Sequence, residues 1–179
     1  MWYEPHQFPF MAEIAKSWRT IKSEVERLGP EHFEPWGQTH MYQPPGGWQI
    51  CPLFVDLYTT IAPRCESMRK LCPKTTELVS SVRGMTAAGF SALLPGTTII
   101  PHPGLERGAL RSHLGIVVPQ GDCACRVGDE VRRWADGAWL VFDDVTDHEA
   151  WNRTASIRIV MMLDFKKSVY GIPERDPGT

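Results

Sequence analysis

A chain of 179 residues and 20.2 kDa lies near the usual size of one domain, which excludes a multidomain machine. Hydrophobic residues make up 42% and charged residues 22%, enough apolar surface to bury a core, so disorder and fibrous repeats are excluded as the main state. A formal charge of -2 with a pI near 6.3 gives no general attraction to nucleic acid or anionic membrane, and no nucleic-acid partner is expected.

In chain order, the opening MWYEPHQFPF lacks a basic segment followed by an apolar one, so a cytoplasmic protein is expected. Met11, Ile14, Trp18, Ile21, Val25 and Leu28 recur at steps of three and four, which predicts one helix with an apolar stripe, stopped by Gly29 and Pro30. Residues 31–50, with Pro35, Pro44, Pro45, Gly46 and Gly47, read as an ordered loop. Segments near 53–61 and 64–71 read as helical, with Pro63 at an N-terminal position, so the first eighty residues are expected to be mainly helical. Beyond Val82 the pattern changes to short β-rich runs at 90–94, 97–100, 111–118, 123–127, 138–142 and 157–163. Turn residues separate them: Pro95 and Gly96, Pro119 to Gly121, and Ala135 to Gly137, the last resembling a hairpin turn between Trp134 and Trp139. Residues 171–179 form a polar, loose tail. No apolar run approaches the roughly 18 to 20 residues of a membrane span. The five cysteines form no CxxC pair and read as reduced, buried thiols.

Of six histidines, His102, His113 and His148 lie in the β half beside turns, where imidazole can serve as a transition-metal ligand; the bland alternative for each is a hydrogen-bonded structural residue. Redox iron sites commonly add a carboxylate two residues after the first histidine, but Gly104 stands there, so Glu106, Asp143, Asp144 or Asp147 would have to supply one from another direction. Asp143 and Asp144 read first as turn or capping residues. Arginine outnumbers lysine, 13 to 6, and its planar fork suits carboxylates, so an acidic ligand is expected. Arg111 and His113 share one face of a strand. Arg158 alternates with Ile157 and Ile159 in an apolar strand, where a charge is costly unless it meets a ligand carboxylate or an internal ion pair; both remain open. Cys123 and Cys125 read as small core residues, and the seven tryptophans as packing.

Taken together, LPGTTIIPHPG, LRSHLGIVVP, WADGAWLVFDDVTDHEAWN and RIVMMLD resemble the aspartyl/asparaginyl β-hydroxylases, a family of iron(II) and 2-oxoglutarate-dependent oxygenases, over about half the chain. The resemblance implies a mainly β fold, a double-stranded β-helix of jelly-roll, cupin-like form. One oxygenase domain would span residues 1–179, with 1–80 as helical support buttressing a sheet, 81–170 as the β core and 171–179 as the tail. It implies His102 and His148 as the catalytic iron ligands, Arg158 and Ser91 as the anchor for the far carboxylate of 2-oxoglutarate, and Arg111 and His113 near its other end. Gly104 fits, because protein-modifying members also carry glycine there. The implied cofactors are Fe(II), 2-oxoglutarate as cosubstrate and O2. The implied reaction is hydroxylation of an unactivated carbon, on an aspartyl/asparaginyl-type or related amino acid that is free, carrier-bound or within a peptide. One departure stands out: Ala109 replaces an arginine of the animal members, which alters an acidic side-chain pocket. Two other classes stay open at this point: a non-catalytic cupin binding an acidic small molecule, and a fatty-acyl hydroxylase.

Overall fold

A computed structural model describes residues 1–55, 62–104 and 108–174. The helical reading of 53–61 therefore lies largely outside the described residues, as does Glu106. The stripe expected for one helix is carried by two, α1 (Pro9–Lys16) and α2 (Trp18–Glu26). At Ser17 the amide donates to the Ile14 carbonyl at 2.9 Å, a tightened last turn that ends α1. The stripe survives the break, since Met11, Ile14, Ile21 and Val25 are all buried. Two further helices, α3 (Ala62–Leu71) and α4 (Pro73–Ser80), follow, and the second starts on proline, which suits the first helical turn.

Residues 1–80, where described, are mainly helical but not helical alone. They contribute β1 (Trp2–Tyr3), β2 (Glu34–Pro35), β3 (Tyr42–Gln43) and β4 (Trp48–Val55). Pro52 disguises β4 as a breaker, and it is accommodated because the register against the next strand slips between Pro52 and Phe54. The later strands are β5 (Met85–Leu93), β6 (Thr97–His102), β7 (Ala109–Val117), β8 (Cys123–Val127), β9 (Glu130–Arg132), β10 (Trp139–Asp143), β11 (His148–Asn152) and β12 (Arg158–Lys166). The expected hairpin at Ala135 to Gly137 is instead a turn on a crossover, closed by Ala138 N–H donating to Ala135 O at 3.1 Å, because β9 pairs with β8 and β10 with β7.

Every strand pairing is antiparallel. One sheet runs β1-β10-β7-β12-β5-β4-β2 and the other β3-β6-β11-β8-β9, the two-sheet arrangement of a jelly roll. Helices α2, α3 and α4 contact β7, β4 and β5, so the helical layer buttresses the seven-stranded sheet. The period-two alternation of strands sorts the core into two layers. Ile159, Met161, Leu163 and Phe165 of β12 join Met11, Ile14, Ile21 and Leu114 under the helices. Val160 joins Leu93, Ile99, Cys125 and Phe142 between the sheets. The same alternation aims Arg158 and Met162 of β12, and Arg111 and His113 of β7, into the space between the sheets.

Candidate active site

His102 ends β6 and His148 begins β11, and the two are directly paired across the antiparallel ladder. The register slips between His148 and Ala150, and the ring centroids lie 4.4 Å apart at 54°. Each Nδ1 sits 2.8 Å from the carbonyl oxygen two residues earlier, Ile100 for His102 and Thr146 for His148. A carbonyl can only accept, so each Nδ1 carries a hydrogen, and in the neutral ring the lone pair lies on Nε2. Burial pushes the His148 pKa down to about 4, so this ring is neutral at physiological pH. Two imidazoles side by side, oriented through their Nδ1 atoms, are able to hold a transition metal.

The facing sheet supplies cationic and polar groups. Trp48, Ser91, His102, Arg111, His113 and Arg158 line one narrow cleft with about 30 Å³ of solvent-accessible room. Arg158 is 1% exposed. Its Nη1 donates to Ser91 O at 2.9 Å and its guanidinium lies 4.5 Å from the Trp134 ring centroid, while its Nε has no partner. Among the described residues no carboxylate forms an ion pair with it, and burial lowers its pKa to about 10. Of the two readings left open by sequence, the internal ion pair is thus absent. The Ser91 Oγ accepts from Trp48 Nε1 at 3.1 Å, which leaves the hydroxyl hydrogen free for an acceptor in the cleft. Nothing in the spacing of Trp48 marked it as a site residue; only the cross-strand neighbourhood of β4 and β5 does so. Burial first, then the Arg158 and Arg111 charges, hold His113 well below the ordinary imidazole pKa, and its buried Nδ1 has no partner.

Asp143 and Asp144 do open a turn, closed by the Thr146 N–H donating to the Asp143 carbonyl at 3.0 Å, but both are buried. Asp143 points under the helices, where both its oxygens lie 2.8 Å from Lys167 Nζ in a fully buried pair. Asp144 points the other way and is 3% exposed. Its Oδ1 lies 3.8 Å from His148 Nε2 and 2.7 Å from Arg111 Nη1, without the alignment of a hydrogen bond. Arg158 and His113, each with a buried nitrogen that has no partner, line the same cleft as the two histidines, so the residues present fit a metal accompanied by an anionic chelator. Asp147 is turned aside, accepting from Arg126 Nη2 at 2.9 Å. Among the described residues no three His, Cys, Asp or Glu side chains form a metal-binding group. A wider surface hollow of about 600 Å³ beside Thr39, Tyr42 and Thr98 lacks such a convergence of buried polar groups.

Solved structures share this two-sheet architecture. A Pseudomonas putida prolyl-4-hydroxylase matches 85% of this chain and 86% of its own with a TM-score of 0.56 at 15% identity, a likeness of fold. Sequence comparison is more specific: residues 15–168 match the profile of aspartyl/asparaginyl beta-hydroxylase, and the chain belongs to that family. The ornithine lipid ester-linked acyl 2-hydroxylase of Rhizobium tropici is 32% identical over 184 residues, covering 92% of this chain and 60% of that protein. Human aspartate beta-hydroxylase domain-containing protein 2 is 38% identical over 163 residues, covering 84% of this chain and 42% of that protein. The chain thus spans less than two thirds of these relatives. No helix of the described residues is long and apolar enough to cross a membrane.

Proposed function

We propose that this member of a hydroxylase family is an iron(II) and 2-oxoglutarate-dependent oxygenase that hydroxylates an unactivated carbon. One observation carries the reading: two imidazoles share a cleft with a buried arginine that, among the described residues, has no carboxylate of its own. His102 and His148 hold the metal, oriented by the Ile100 and Thr146 carbonyls. Arg158 and the Ser91 hydroxyl bind the far carboxylate of the cosubstrate, with Trp48 fixing the hydroxyl. His113 and Arg111 stand nearer the metal end. Iron(II), 2-oxoglutarate and dioxygen together supply the oxidising chemistry that no side chain here possesses. The apolar layer of Leu93, Ile99, Phe142 and Val160 excludes water from that chemistry. A five-carbon diacid needs more room than about 30 Å³, so side chains lining the cleft move apart as it enters.

The family points to an amino-acid substrate of aspartyl or asparaginyl type, free, carrier-bound or in a peptide. A second reading, oxidation of an acyl chain, draws support from the Rhizobium tropici relative, whose match extends over 92% of this chain, and from Ala109, which offers no cationic fork to an acidic side chain. A screen of both classes for a 2-oxoglutarate-dependent mass gain of one oxygen separates them. His102→Ala and His148→Ala are expected to abolish iron-dependent conversion of 2-oxoglutarate to succinate; undiminished succinate release in either variant contradicts the ligand assignment, and none in the wild type favours a binding-only cupin.

A further inference from the structure

Gly104 and Asp144 compete for one volume. A Cβ on Gly104 would overlap Asp144 Oδ2, and the Gly104 N–H donates to the Asp144 carbonyl at 2.7 Å. The carboxylate missing after His102 is therefore replaced in space by one arriving from the turn before His148. Among the described residues Asp144 Oδ1 makes no aligned hydrogen bond. The restraint comes from the neighbouring sheet. Arg111 and Asp164 are direct partners across β7 and β12. The Arg111 Nε and Nη2 donate to the two Asp164 oxygens at 3.1 and 2.7 Å, a two-pronged grip, while Nη1 remains on Asp144 at 2.7 Å. Asp164 is itself 3% exposed and turned into the space between the sheets.

We propose that Asp164 is a positioning residue of the site: by gripping two nitrogens of Arg111 it fixes the third, which holds the Asp144 carboxylate beside His148 in the volume that Gly104 leaves free. The inference rests on the two-histidine reading of the metal site. Asp164 touches neither metal nor cosubstrate. It sets the direction of a charge within reach of a cation at His148 Nε2, where a carboxylate favours a divalent ion.

Titration with Mn²⁺ alone, read as the electron paramagnetic resonance of free Mn²⁺, tests this without catalysis. Asp164→Asn keeps the shape but places an NH₂ against an arginine N–H, and about a tenfold loss of Mn²⁺ affinity is expected. Asp144→Ala is expected to lose at least as much, and the double variant no more than Asp144→Ala, because Asp164 acts through Asp144. Wild-type affinity in Asp164→Asn, or losses that multiply in the double variant, overturn the proposal. Should Asp164→Asn fail to fold, the paired exchange Arg111→Met with Asp164→Leu removes the buried ion pair as a unit; a folded protein of that kind with undiminished Mn²⁺ affinity equally overturns it. A wild type that binds no Mn²⁺ contradicts the metal site itself, and this inference with it.

Discussion

The rings of His102 and His148 are oriented by two backbone carbonyls at their Nδ1 atoms rather than by a neighbouring acid. In the unfolded chain an imidazole takes its proton near pH 6.5, whereas His148 in the fold resists until about pH 4. The unfolded state therefore binds more protons in that interval, and the metal-free protein loses stability as pH falls from about 6.5 toward 4, by on the order of 3 kcal/mol from this group. Urea unfolding at pH 7 and pH 5 is expected to show the fall, and His148→Gln to flatten it; an equally steep fall in His148→Gln contradicts the assignment. Replacing Arg158 by Met removes the cation that a ligand carboxylate would complete, so the 2-oxoglutarate KM is expected to rise at least tenfold. An unchanged KM counts against that role. Much of this was legible in the sequence, because His102, His148, Arg158, Ser91, Arg111 and His113 fall in dense motifs. Trp48 and Asp164 were not, since each acts only through a cross-strand partner that no local spacing reveals.

The strands of the β half announce themselves where alternation is strong, as in Arg158 to Lys166, whose two faces are an apolar layer and a polar cleft. β11 escapes such reading because HEAWN mixes a site histidine, an outward Glu149 and a buried Asn152 within five residues. β4 escapes because Pro52 and the preceding loop look like a break, and a bulge absorbs the proline. The single helix expected over 11–28 was right about the buried stripe and wrong about continuity. Asn152 shows what an element needs beyond pattern. Its side-chain amide donates to Leu93 O at 2.9 Å and Ser156 O at 2.8 Å, and its Oδ1 accepts from Thr154 Oγ1 at 2.7 Å. The residue thus ties β11 to the opposite sheet and shapes the loop that delivers Arg158. Asn152→Leu is expected to destabilise the protein by about 2 to 4 kcal/mol, through buried carbonyls left without donors. A change below about 0.5 kcal/mol in denaturant unfolding refutes that structural role.

At the scale of the molecule, two layers divide the labour: helices and the outer face of the seven-stranded sheet make a dry core, while the two sheets enclose the cleft. Asp143 and Asp144 sit on this divide, adjacent in sequence and facing opposite layers. Asp143 pairs with Lys167 in the dry layer, so Lys167→Met is expected to destabilise by about 3 to 5 kcal/mol by stranding a buried carboxylate. Replacing both members with apolar residues is expected to recover much of that loss, and a double variant as unstable as the single contradicts the account. The central claim is that one ferrous ion and one molecule of 2-oxoglutarate meet between His102, His148 and Arg158. Anaerobic addition of iron(II) and 2-oxoglutarate to the wild type and to His148→Ala measures this directly, by visible absorption. The account predicts a charge-transfer band in the wild type that is lost in the variant; no band in the wild type, or the same band in both, contradicts it.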